Sequence, residues 1–376
     1  MSLYLDYNAS APILPEVLDT MIEAYKNSPG NADSRTHIYG TDAQKLVQAS
    51  RNTIAKVLGV DQSEVIFTSG STESNNTVIL GIEEYARKTG KMHIITTAIE
   101  HKAILEPLKY LEGKGFRVDY VRPDESGRID AKYLLSLVDS ETCLVSVMFV
   151  NSETGIIQPV EEIGQALKET NVIFHVDATQ ALGKLNQEIR TLDYNLMSIA
   201  SHKIGGPQGI GALIFKRSED YKRPPIKQLM YGGSQERGFR PGTTPVALAA
   251  GFAKAVEICE KDLKTNHNKC IEIKEQFLDA IKDLPYTING APQYCLPSTI
   301  NISFDGLDAE AAFLCLGDEY SFSNGSACNS SSHSLSYVLE AMGLDEKRRS
   351  EAIRLSWNGN TDVDFSNFVS IIHSMI

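Results

Sequence analysis

No apolar run in the chain approaches the roughly 20 residues that span a bilayer. Its opening, MSLYLDYNAS, has no basic segment followed by a long apolar stretch. A cytoplasmic protein without membrane contact is the expectation. Basic charge is also scarce: 36 Lys and Arg stand against 48 Asp and Glu, a net charge of −12. Direct nucleic acid binding, which needs a cationic footprint, is therefore not expected. The six cysteines, at 143, 259, 270, 295, 315 and 328, form no CxxC pair and no Cys/His cluster with zinc spacing. No metal site is expected, and the thiols are read as reduced.

What is present is an ordinary globular composition, 42% apolar and 22% charged. At 376 residues the chain exceeds one typical core, so a large domain plus a smaller one is expected. Helical patterns alternate with short β-rich runs: EVIFTSG (64–70), HIITTAIEH (93–101), FRVDYV (116–121), TCLVSVMFV (142–150), VIFHVDA (172–178), LMSIASH (196–202) and GALIFK (211–216). Several are apolar throughout, as strands buried on both faces of a mostly parallel sheet must be. The fold class read from this is α/β, a large domain over 14–258 with a mostly parallel seven-stranded sheet flanked by helices. A smaller α+β domain takes residues 1–13 and 259–376. A long helical pattern starts near Val246, and short strands follow at 298–303 and 353–356.

In open α/β sheets ligands bind beyond the carboxyl ends of the strands. Asp177 closes one apolar strand there, and Lys203, in SHKIGGPQGIG, lies just past the end of another 26 residues later. A lysine pinned between a strand end and a glycine-rich turn has little room to reach water, unlike a lysine on a polar helix face. An amine and an acid at one sheet edge suit pyridoxal phosphate, the lysine forming a Schiff base and the carboxylate holding a proton on the ring nitrogen. The alternative is a turn-forming aspartate and an unrelated lysine. Ser71 and Thr72 open a helical pattern after a strand, where hydroxyls and free N–H groups make an anion pocket. The same TSGSTESNN segment also reads as a capping box.

His101 follows a strand and is placed to stack on a ring and move protons, or is simply structural. Cys328, in NGSACNSSS, is the one cysteine outside an apolar context. It is either a displayed nucleophile or an incidental loop thiol. Arg354, inside the apolar strand AIRLS, needs an anion: a substrate carboxylate or an internal ion pair.

Together these segments resemble the cysteine desulfurases of the class V aminotransferase group of fold-type I pyridoxal phosphate enzymes. The resemblance runs from LDYNASAP (5–12) through SGSTESNN, IEHKAIL, VNSETG, HVDATQALGK, SHKIGGPQGIGAL and GGSQERGFRPGTTP to NGSACNSSS and IRLSWN. The cysteine loop, about 321–333, is similar to the longer kind of housekeeping and nitrogen-fixation desulfurases. The resemblance implies removal of sulfur from L-cysteine to give L-alanine and a persulfide on Cys328. Sulfur-acceptor proteins of iron–sulfur cluster assembly, tRNA thiolation or DNA phosphorothioation would then receive it.

By the same resemblance Lys203 forms the Schiff base, Asp177 pairs with the ring nitrogen, and His101 stacks on the ring. Gln180 and Asn151 lie near the cofactor oxygen. Ser71, Thr72 and His202 bind the phosphate, with Thr243 contributed by the second subunit of a homodimer. Arg354 and Asn151 hold the substrate carboxylate. Where the family has Ser-Gly-His-Lys this chain has Ala200-Ser201-His202-Lys203, so Ser201 is the hydroxyl left to serve the phosphate. VNSETG, RPGT and Asn324 are further departures. A transaminase or selenocysteine lyase of the same fold, and an idle scaffold, are the rival readings. An exposed Cys328 has no use in a transaminase, and the retained lysine, aspartate and histidine have none in a scaffold.

Overall fold

The computed structural model describes residues 3–217, 222–323 and 335–376. All seven expected strands are present in one sheet: β1 (Val65–Thr68), β2 (His93–Thr97), β3 (Arg117–Val121), β4 (Thr142–Met148), β5 (Ile173–Asp177), β6 (Leu196–Ala200) and β7 (Gly211–Phe215). Their order across the sheet is β1-β7-β6-β5-β4-β2-β3. Only β7 runs against its neighbours. Every residue of β4, β5 and β6 is buried. Helices cover both faces of these strands, which therefore carry apolar residues at consecutive positions.

Two helices leave strand ends and position side chains. Helix α1 (Ser71–Gly81) begins at Gly70, whose φ of 151° and ψ of 178° fall in a region essentially restricted to glycine. That turn swings the chain from β1 into a helix within two residues. Helix α2 (Lys102–Glu112) follows β2 and is capped by the side chain of His101.

A second sheet holds β8 (Tyr286–Ile288), β9 (Thr299–Phe304) and β10 (Ala352–Ser356), all antiparallel. Its core gathers Ile300, Ile302, Leu355, Trp357 and Phe368, and Leu5 joins it from the other end of the sequence. Helix α3 (Val246–Ala280) is 35 residues long and passes through residue 258. Ala249, Phe252 and Val256 pack in the core of the large sheet, whereas Cys270, Ile273 and Phe277 pack in the core of the small one. One rigid rod thus joins the two cores. No helix among the described residues is long and apolar enough to cross a membrane.

Candidate active site

The carboxyl ends of β5 and β6 open into a cavity of about 410 Å³. Asp177, Gln180, His202, Lys203, Ser71, Thr72, His101 and Arg354 all line it. Eight of the residues singled out in the sequence therefore converge on one space.

Lys203 lies in a short turn (Ser201–Lys203) directly after β6. Its Nζ donates to the carbonyl oxygens of Asn8 at 2.7 Å and Ala9 at 2.8 Å. The N-terminal segment therefore aims the amine. Asp177 is buried and accepts on both oxygens, from Asn75 Nδ2 at 2.7 Å and from the Thr179 backbone N–H at 3.0 Å. Donors on both sides suit a carboxylate that must remain an acceptor.

Ser71 and Thr72 occupy the first turn of α1, where N–H groups have no intrahelical acceptor and the helix dipole is positive. His202 lies across the cavity. Burial, reinforced by the neighbouring Lys203 charge, pulls its imidazole down to about 4, so the ring is neutral at ordinary pH. His101 Nδ1 accepts from the Ala103 N–H at 3.0 Å. A ring nitrogen that accepts carries no hydrogen, so in the neutral ring the proton sits on Nε2. His101 therefore caps α2 and also lines the cavity.

Arg354 makes the internal ion pair of its second reading. It is buried on β10, donates to the Ser152 carbonyl at 3.0 Å, and pairs with Asp6 at 2.5 Å. It nevertheless lines the cavity.

Three expected residues are elsewhere. Asn151 is not among the lining residues, although Val150, Ser152 and Glu153 are. Its Oδ1 accepts from the N–H groups of Glu153 and Thr154, both at 2.9 Å, and its Nδ2 donates to Ile99 O at 3.1 Å. The side chain is spent on shaping the wall. Ser201 is a correction: its Oγ is fully buried without a hydrogen-bond partner and is not on the cavity wall. It faces Gly206, where a Cβ would come within 2.1 Å of it. Ala200 and Ser201 are consecutive, so their side chains leave the chain in different directions, and the hydroxyl missing at 200 is not replaced from 201. Thr243 is exposed and outside the cavity of its own chain. Cys328 and Asn324 lie outside the described residues.

The structure adds residues that the sequence reading passed over. Asn8 is a hub: its backbone O accepts from Lys203 and from Gln180 Nε2 at 2.8 Å, and its Nδ2 donates to Thr299 Oγ1 at 3.0 Å. Glu153 is on the cavity wall and accepts from the Ser336 hydroxyl. Burial raises its carboxyl to about 7, with Ser336 and Arg354 pulling the other way. Glu100, fully buried behind the wall, is raised to about 8 for the same reason. Asn8 and Glu153 were visible in LDYNASAP and VNSETG, but nothing local in those strings marks them as burying against distant segments.

The family model described as Aminotransferase class-V matches residues 3–360. A mouse protein named cysteine desulfurase is 40% identical over 376 aligned residues, covering 99% of this chain and 81% of that protein. The chain belongs to the cysteine desulfurases of the class-V aminotransferase family. Two solved structures are similar to this cysteine desulfurase throughout. A NifS-like protein matches with a TM-score of 0.90 and 35% identity, covering 100% and 99% of the two chains. A structure titled "SspA in complex with cysteine" matches with a TM-score of 0.84 and 32% identity, over 96% and 100%.

Proposed function

We propose that the 410 Å³ cavity holds pyridoxal phosphate and L-cysteine, and that sulfur leaves the substrate for Cys328. The donor set fits the cofactor chemically. Hydroxyls and helix N–H groups at Ser71 and Thr72, with a neutral imidazole at His202, suit a phosphate. Asp177 suits a protonated ring nitrogen, and Lys203 suits an aldehyde. Bound there, the cofactor supplies a carbon that the substrate amine attacks and a ring that draws electrons away from the substrate Cα.

The chain's own residues do the rest. Lys203 would hold the cofactor covalently and, once freed by the substrate amine, would carry the α-proton on its Nζ. Asp177 would accept from the ring N–H and keep that proton in place. His101 exchanges a proton through Nε2. Arg354 holds the substrate carboxylate with the part of its fork not committed to Asp6 and Ser152. The Cys328 thiolate attacks the substrate sulfur, so that an S–S bond forms as the substrate Cβ–S bond breaks with its electron pair left on the three-carbon fragment, which takes up a proton at Cβ and one at Cα, returned by Lys203, and leaves as alanine. The persulfide sulfur then passes to an acceptor protein.

In a homodimer Thr243 of the partner subunit completes the phosphate pocket, which matches its exposure at the surface of its own chain. The units 14–258 and 1–13 with 259–376 belong to the same reading, the second carrying the cysteine loop. The observation that carries the proposal is the convergence of Lys203 and Asp177, from the ends of adjacent strands, on one cavity that Arg354 enters from the other sheet. The test is Cys328→Ala: it should bind the cofactor with its colour intact and release no sulfide from L-cysteine. Normal release of sulfide and alanine would remove Cys328 from the reaction.

A further inference from the structure

One half-buried cation near the site has no role in the reaction described above. Lys184 lies four residues beyond Gln180 in the turn that follows β5, half-buried, and forms part of the wall of a second cavity of about 280 Å³ that meets the first at Lys203. Its Nζ donates to Gln180 Oε1 at 3.0 Å and more weakly to Asn8 Oδ1 at 3.4 Å. Drawing an ammonium even partly out of water is costly, and desolvation followed by the charge of Lys203 pulls this amine down to about 8. A methionine of similar length would fill the same space without that cost. The amine therefore contributes something that packing alone does not.

Hydrogen-bond direction shows what it contributes. An ammonium only donates, so the atom of the Gln180 amide facing Lys184 must be the oxygen. The Asn8 backbone carbonyl only accepts, so the atom facing it, at 2.8 Å, must be the nitrogen. Two one-way partners on opposite sides of the amide leave it a single orientation. Asn8 O is also the acceptor that aims Lys203, so the amide and the reactive amine are referenced to the same atom.

We propose that Lys184 is a positioning residue that locks the Gln180 amide so that only its remaining N–H is offered to the cavity. Gln180 then donates to a ring oxygen and never presents its own carbonyl to one. The inference rests on the reading of the cavity as a pyridoxal phosphate site.

The experiment uses full-length apoprotein and pyridoxal phosphate as the probe. It follows binding by fluorescence and by the visible band of the bound cofactor, for Lys184→Met, Lys184→Gln, Gln180→Leu and the Lys184→Met/Gln180→Leu double variant. Lys184→Met should weaken binding roughly tenfold, about the worth of one lost hydrogen bond to a buried polar group, and shift the band. Lys184→Gln, which keeps an N–H donor, should recover most of both effects. The double variant should match Gln180→Leu alone, because Lys184 acts only through that amide. Effects of the two single variants that add in the double would overturn the proposal, as would a shift in Gln180→Leu with none in Lys184→Met. If Gln180→Leu leaves binding and band unchanged, the assignment of Gln180 to the cofactor fails first, and the role of Lys184 falls with it.

Discussion

Arg354, on the wall of the cavity, forms an ion pair with Asp6 at 2.5 Å, its own side chain 3% exposed and that of Asp6 18%. The guanidinium is thus aimed before any substrate arrives. One arm is held by Asp6 and another by the Ser152 carbonyl, while the side chain lines the cavity. A planar fork serves three acceptors at once, and an ammonium does not. Arg354→Lys is therefore expected to raise the KM for L-cysteine by about tenfold or more, with a smaller effect on kcat. Steady-state rates of alanine formation check this.

Asp177 has a different signature. Asp177→Asn keeps an acceptor oxygen toward Asn75 or Thr179 but removes the charge that would hold a ring proton. The variant should still take up pyridoxal phosphate while kcat falls by about 10² or more, the usual scale for losing charge stabilisation of a developing intermediate. Absorbance of the bound cofactor and single-turnover alanine formation separate the two effects.

Stability should carry the mark of Glu100. Its Oε1 accepts from Thr97 Oγ1 at 2.7 Å and from the Met148 N–H at 2.9 Å, while Oε2 is buried without a partner. Burial raises the carboxyl from 4.5 to about 8. A carboxyl raised on folding holds its proton in the folded state after the unfolded chain has released it. Its contribution is fully present below pH 4.5 and is lost as pH rises toward about 8. Glu100→Gln, which keeps the acceptor at Oε1, should flatten that loss. Urea unfolding of both proteins at pH 5 and pH 8.5 should show the variant gaining on the order of 3 kcal/mol on the native protein between the two.

Far from the cavity, Arg51 and Glu236 make a two-pronged buried ion pair, with contacts of 2.6 and 2.7 Å and both side chains 4% exposed. Glu236 also accepts from the Phe67 N–H at 2.9 Å and has a left-handed φ of 47°. Through that Phe67 N–H, Glu236 ties β1 to the segment that runs on to Thr243. Glu236→Ala strands a buried guanidinium and should cost about 3–5 kcal/mol. Denaturant unfolding measures it.

The fold was legible because its signal is local. Residues of β4 to β6 are buried on both faces, so each strand announces itself as an apolar run, and the site edge follows from where those runs stop. β8 left no such trace. It is three residues long, pairs on one side only, and its residues are half-buried or exposed. Lys203, Asp177 and His101 were legible for a related reason, since each stands at the end of a run. Asn8, Glu153 and Lys184 depend on contacts across the chain: Lys184 to Asn8 spans 176 residues and Ser336 to Glu153 spans 183. No local pattern encodes such contacts. Ser201 shows the converse, since its place one residue after Ala200 suggested a hydroxyl for the phosphate, and the turn buries it instead.

The most direct test of the account is to load the full-length protein with pyridoxal phosphate, add L-cysteine without reductant, and map added sulfur on its peptides by mass spectrometry while counting alanine. One extra sulfur on the Cys328 peptide for each first-turnover alanine, and neither product from Lys203→Ala, is the predicted result. Alanine formed with the extra sulfur on another thiol, such as the exposed Cys315, or formed undiminished by Lys203→Ala, would contradict it.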